Sequence, residues 1–265
     1  MGSQWCNLLP QEERGLPRNR RARPTACFKA RDQATELDVL NSGKVHQLRS
    51  TSRHNLPAPR SSFIGREREM LEVKQELETT RLLTITGAGG SGKTRLALEV
   101  ARDLLEDYSN GVWLVELAPL SEEALVPKAV AEALEVPERP SEPLADTLIE
   151  VLGSRELLLV VDNCEHLLEA TARLVDVLLD SCPRLRVLAT SREGLGVEGE
   201  VRWPVPPLDA PDPKYSSTVE ELERLESARL FLARARNRDP SFAFTPGTHR
   251  SWRKYVASLR VYRLP

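Results

Sequence analysis

Cysteine is scarce in this chain: Cys6, Cys27, Cys164 and Cys182 are the only four in 265 residues, and none forms a CxxC pair. No run resembles a signal peptide or a membrane span, so a reducing cytoplasm is the expected compartment and no membrane contact is expected. Gly2 is present, but Cys6 stands where a myristoylation signal wants Ser or Thr, which removes lipidation from consideration. No internal repeat and no recognisable acceptor-binding motif is visible. Net charge is also slight, at −2.

That near-neutrality hides a strong division. Residues 1–60 hold 11 basic and 5 acidic groups, residues 61–244 hold 21 and 34, and residues 245–265 hold 5 and none. The acidic middle reads as one folded unit, and it argues against a general nucleic-acid surface, because phosphate neutralisation needs clustered Lys and Arg. Direct DNA binding by this chain is therefore not expected. Residues 1–60 lack a sustained apolar period and read as a disordered or linker-like leader ending at Pro57-Ala-Pro59.

From Ser61 the pattern changes. Met70, Leu71, Val73 and Leu77 give residues 68–78 a helical face. Short apolar runs then alternate with longer amphipathic ones, as in a parallel sheet with crossover helices. The pattern predicts strands at 82–86, 112–117, 157–162, 185–190 and near 201–205. Helices are predicted over 92–108, 121–135, 144–152, 165–179 and 219–236. The fold class expected from this alternation is α/β, a parallel five-stranded sheet with helices on its faces.

Gly87, Ala88, Gly89, Gly90, Ser91, Gly92, Lys93 and Thr94 fit G-x-x-x-x-G-K-[ST] at every fixed position, with a predicted strand before and a helix after. Glycines let successive backbone N–H groups face phosphate oxygens, and the helix N-terminus adds partial positive charge. Lys93 is expected to reach the β and γ phosphates, and the Thr94 hydroxyl to complete a Mg²⁺ shell. The second metal contact expected is Asp162, at the end of the apolar run 157–161, where ligands bind in open α/β sheets. These motifs imply a P-loop NTPase three-layer α/β sandwich, and in such proteins with a strand inserted between the loop strand and the Asp strand the parallel five-stranded sheet is ordered 5-1-4-3-2. That order would put Thr190 to Arg192 beside the γ-phosphate, so Arg192 is the candidate sensor.

Five ordered stretches resemble one family, the STAND-class signalling NTPases close to the NB-ARC type, in particular the ATPase modules of large bacterial transcriptional regulators. They are Phe63-Ile-Gly-Arg-Glu67, Gly87 to Thr94, Leu158-Val-Val-Asp-Asn-Cys-Glu-His-Leu167, Leu188-Ala-Thr-Ser-Arg-Glu193 and Val205-Pro-Pro-Leu208. The resemblance implies that Ile64, Gly65 and Arg66 lie against adenine and ribose, so the nucleotide expected is ATP or ADP with Mg²⁺. Arg95, directly after the loop, is included among the expected nucleotide contacts. It also implies a switch in which ADP holds a closed state and ATP opens it. Asn163 follows the metal Asp where many such ATPases carry a Glu, and an amide cannot take a proton, so at most slow hydrolysis is expected. Glu165 could polarise water or serve as helix N-terminal charge; His166 reads as a packing or surface residue. An ordinary catalytic NTPase or phosphotransferase is the alternative reading.

By this resemblance residues 61–208 form the NTPase domain and 209–244 the start of a helical subdomain. Residues 245–265 are basic and off pattern. Codons two nucleotides out of phase over 251–265 permit Gly-Ile-Pro-Leu, as in the family's missing segment, so a frameshift near residues 247–249 and a truncated product are expected. The helix over 219–236 is then expected to expose apolar surface and to favour self-association.

Overall fold

The computed structural model describes residues 53–139, 142–208, 218–245 and 252. Five strands, β1 (Leu82–Thr86), β2 (Val112–Glu116), β3 (Leu157–Asp162), β4 (Leu185–Ser191) and β5 (Glu200–Pro204), form one sheet in the order β2-β3-β4-β1-β5. All four pairings are parallel. This is the order expected from the sequence.

Strands β1 to β4 are short, largely apolar runs because both faces of the sheet are covered there, so alternation of polar and apolar residues is unnecessary, while the edge strand β5 is only partly buried. All six residues of β3 are buried. Alternate side chains serve opposite faces. Leu83, Ile85, Leu158, Val160 and Leu188 pack with α1 (Glu67–Thr79) and α2 (Lys93–Asp103). Leu82, Leu157, Leu159, Val161 and Val187 pack with α3 (Val126–Ala133), α4 (Leu144–Leu152) and α5 (Leu168–Ser181).

Helix α4 has its predicted range and α1 slightly exceeds its own, whereas three predicted helices start late or are interrupted for identifiable reasons. Over 121–135 the chain first makes a 3₁₀ turn at Glu123–Leu125, and α3 begins so that Pro127 sits in its first turn, where its missing N–H is harmless. Over 165–179, Asn163 adopts a left-handed conformation (φ 64°), a 3₁₀ turn follows at Cys164–His166, and α5 starts only at Leu168. Over 219–236, extended Leu225 (φ −75°, ψ 135°) divides α6 (Val219–Arg224) from α7 (Glu226–Arg236).

The folded unit also begins earlier than Ser61. Arg53 O accepts the Val112 N–H at 2.9 Å, and His54 bridges in parallel to Val112. The Asn55 side chain bonds both backbone groups of Leu114, donating to its O at 2.8 Å and accepting from its N at 2.6 Å. Leu56 is buried. These residues close the open edge of β2, an exposed row of donors and acceptors that folded proteins cover.

The apolar face of α7 is not bare: Ala228 and Leu232 are buried with Phe244 and Trp252, and Phe231 stacks on Phe244 at 5.9 Å. That corrects the expectation of exposed apolar surface on this helix, because aromatic residues downstream of it fold back as its cover. Apart from residues 53–60, 245 and 252, the leader and the tail with its expected phase shift lie outside the described residues.

Candidate nucleotide-binding site

The segment between β1 and α2 is built to present backbone rather than side chain. Gly90 (φ 76°) and Gly92 (φ 93°) are left-handed, a conformation that disfavours any Cβ. A Cβ at Gly89, Gly90 or Gly92 would meet nothing within 4 Å, so the loop's outer surface faces open space. Helix α2 has no side-chain cap and no acidic residue in its first turn. Its free N–H groups and its positive dipole end are therefore left for an external anion.

Lys93 is buried, and its ammonium donates to Gly87 O (2.8 Å) and Ala88 O (3.3 Å). An ammonium carries three protons, so one remains for a phosphate oxygen. The Ser91 hydroxyl is buried without a partner, a second polar group in want of a ligand. Thr94 is exposed in the first turn of α2.

Asp162 ends β3 and is buried. Its Oδ1 accepts the Thr190 hydroxyl at 2.5 Å, while Thr190 Oγ1 accepts the Asn163 N–H at 3.0 Å. One Asp162 oxygen is thereby fixed and the other is left for a cation. Thr190 pairs in register with Ile85 of β1, so β4 lies between the Asp strand and the loop strand. Arg192 Nε donates to Glu165 Oε1 at 3.2 Å. The side chains of Asn163 and His166 meet at 3.2 Å, and His166 Nε2 lies 3.0 Å from Leu120 O. His166 therefore ties two loops together.

Upstream, Gly65 (φ 75°) and Arg66 (φ 65°) form a tight left-handed corner before α1. Arg66 is buried and is the joint of the site. Its Nη2 donates to Ser91 O in the loop (3.2 Å) and to Pro206 O after β5 (3.0 Å), its Nη1 reaches Glu69 (3.4 Å), and its N–H donates to Glu226 Oε1 (2.7 Å). The structure thus brings the 64–66 segment, the loop and the 205–208 segment together. Arg95 is committed differently: it donates to Ser61 Oγ (2.9 Å), Ser61 O (2.5 Å) and Ser62 O (2.8 Å), with Phe63 5.9 Å away. It holds residues 61–63 against α2 as a tether, with three of its five N–H donors committed there.

Sequence reasoning missed Glu226, whose Oε1 would lie 2.9 Å from a Cβ on Gly65. No spacing signal marks it, since it acts from 160 residues away. It also missed the edge-closing Asn55. The Asp162–Thr190 bond follows only from the strand order.

Residues 75–195 match the model of the AAA domain family. This span holds the loop, Asp162 and Arg192, and stops short of Ile64–Arg66 and of α6 and α7. The chain is 38% identical over 184 residues to an uncharacterized protein of Mycobacterium tuberculosis, covering 69% of this chain and 46% of that protein. It is 40% identical over 166 residues to a protein of the same organism named "Putative HTH-type transcriptional regulator", covering 63% of this chain and 17% of that one. The chain therefore spans about half the length of the first relative and a small part of the second. Among solved structures it is similar to a signal transduction ATPase with numerous domains from Pyrococcus horikoshii, which carries a tetratricopeptide-repeat sensor (16% identity, 75% of this chain, 28% of that chain, TM-score 0.45). It is also similar to Cdc6p from Pyrobaculum aerophilum (15% identity, 66% of this chain, 52% of that chain, TM-score 0.43).

Proposed function

From the AAA-type P-loop ATPase domain that this chain carries over residues 75–195, we propose an adenine-nucleotide-binding regulatory module that switches between ADP and ATP and hydrolyses slowly. The observation that carries this reading is the uncapped N-terminus of α2 behind a left-handed glycine loop, with buried Lys93 bound to that loop's carbonyls. Such a terminus is an anion site in waiting. The unpartnered Ser91 hydroxyl supports the same ligand. Adenine is favoured over guanine by the family resemblance of the Ile64–Arg66 corner.

The residues present fit Mg²⁺: the Thr94 hydroxyl and the free oxygen of Asp162 would hold it, with phosphates and water as its remaining ligands. When bound, the ion would offset charge on the phosphates. No member of the site is placed as a strong general base. Asn163 has no basic oxygen to offer, and Glu165 is paired to Arg192. Hydrolysis is therefore expected roughly 10²–10⁴-fold below that of an ATPase with a positioned base.

Regulation is favoured over metabolic phosphotransfer because Glu226 links the nucleotide segment to α7, so occupancy at Arg66 has a mechanical outlet. A relative named as a transcriptional regulator supports the same context. No helix among the described residues is long and apolar enough to cross a membrane, and the cytoplasm is the compartment proposed. Self-association through the NTPase domain is a further part of the reading; recognition of DNA by this chain is not. Calorimetric titration of Mg-ADP and Mg-ATP into the full chain tests it. Wild type should bind both and Lys93→Ala neither; a wild type that binds neither defeats the proposal.

A further inference from the structure

Glu165 does not have the place expected of a charge at the start of α5. It does not charge the first turn of α5, where the acidic residue is Glu169. It sits instead in the separate 3₁₀ turn Cys164–His166, next to left-handed Asn163. Its side chain is 17% exposed, and it faces Arg192, which is 68% exposed. A pair with so exposed an arginine adds little stability.

The way the two groups meet is more informative. Glu165 Oε1 takes only the Nε proton of Arg192, at 3.2 Å, and Glu165 Oε2 is buried without a partner. A guanidinium gripped at Nε keeps both terminal nitrogens available, and these are the donors that suit a phosphate. The unused Oε2 offers a second acceptor on the same edge, so the grip can become two-pronged once the guanidinium plane is fixed.

The backbone places this group independently. Ser191 pairs with Thr86, and the next residue on each strand is Arg192 and Gly87 respectively. Arg192 therefore leaves the sheet beside the entry to the phosphate loop.

We propose that Glu165 is the positioning residue of a triphosphate sensor: it orients Arg192 by Nε so that the terminal fork meets the phosphate that ATP has and ADP lacks. This rests on the nucleotide-binding reading above. Glu165 neither touches the ligand nor moves a proton; it acts through Arg192.

The test is calorimetric titration of Mg-ATP and Mg-ADP into the full chain, for wild type, Glu165→Ala, Glu165→Gln, Arg192→Ala and the Glu165→Ala/Arg192→Ala double variant. Arg192→Ala should lower the preference for ATP over ADP about tenfold, the scale of one charge-assisted hydrogen bond. Glu165→Ala should lower it about threefold to tenfold, Glu165→Gln less, since its amide oxygen still accepts from Nε. ADP affinity should stay within about twofold of wild type, and the double variant should match Arg192→Ala, as coupled sites do. An unchanged ATP preference in Glu165→Ala, a parallel loss of both nucleotides, or a further loss in the double variant overturns the proposal. Should Glu165→Ala not fold, near-isosteric Glu165→Gln decides alone, because any fall in ATP preference supports the role and none refutes it. A wild type that binds ATP and ADP equally sinks the sensor while the nucleotide-binding reading stands. One that binds neither sinks both.

Discussion

The two edges of the sheet are made of the same strands and differ in how their polar groups end. At the N-terminal edge donors meet acceptors. Arg186 donates through Nη1 to Leu77 O and Thr80 O and through Nη2 to Glu78 O (3.1 Å), closing the end of α1. Arg81 donates to Leu179 O near the end of α5 at 2.6 Å. Glu200 accepts from Leu195 N (2.6 Å), Gly196 N (3.0 Å) and Arg202 Nε (2.9 Å). Burial there pushes the Tyr108 phenol up to about 12.

The C-terminal edge is the reverse. It holds left-handed Gly90, Gly92, Asn163 and Arg66, an uncapped helix start, and the unpartnered Ser91 and Glu165 oxygens. Helix C-termini capped by arginine cost nothing to keep, whereas strain and unmade hydrogen bonds persist only where a ligand or a rigid frame compensates. One edge carries stability, and the proposed nucleotide binding falls to the other.

That division can be attacked from the stabilising side first. Arg186→Ala strands three carbonyls at the end of α1 and should lower unfolding free energy by about 2–4 kcal/mol, read by urea denaturation, with nucleotide affinity intact under native conditions. A variant as stable as wild type would contradict the role given to that edge. Asn55→Ala should cost about 1–2 kcal/mol by unpairing both backbone groups of Leu114, and hydrogen exchange should rise locally in β2. Equal protection of Leu114 in both proteins would count against it.

The smallest effect concerns Glu200. Desolvation pushes its carboxyl up, but the Thr84 hydroxyl, the Arg202 guanidinium and the Leu195 and Gly196 amides together outweigh it, and the net shift is downward. A group depressed in the folded state stabilises above its unfolded value, about 4.3, and that contribution is lost as pH falls through the lower folded value. Melting temperatures of wild type should therefore drop on acidification below that range, and those of Glu200→Gln should drop less. Parallel curves would show that the carboxylate has no such role.

Most of the sheet is legible in the sequence because its signals are local. The run Leu157–Asp162 is apolar up to its last residue, Leu82–Thr86 is broken in its interior only by Thr84, and the loop motif between strand and helix is contiguous. Pro127 could have marked the late start of α3. What is not legible is set by contacts across the fold. Extended Leu225 packs beside the aromatic cluster of Phe244 and Trp252, and Glu226 reaches the Arg66 amide, so the break between α6 and α7 answers to tertiary partners rather than to periodicity. Arg95 illustrates the same limit, since adjacency to the loop suggests a ligand contact while its donors serve Ser61 and Ser62.

The central claim is that the unsatisfied edge holds an adenine nucleotide. Its most direct test is the nucleotide content of the purified full chain, released by acid and separated chromatographically, beside Lys93→Ala with equal folded content. The account predicts ADP in wild type and none in the variant. Two empty preparations, with no binding of added ATP to wild type, would contradict it.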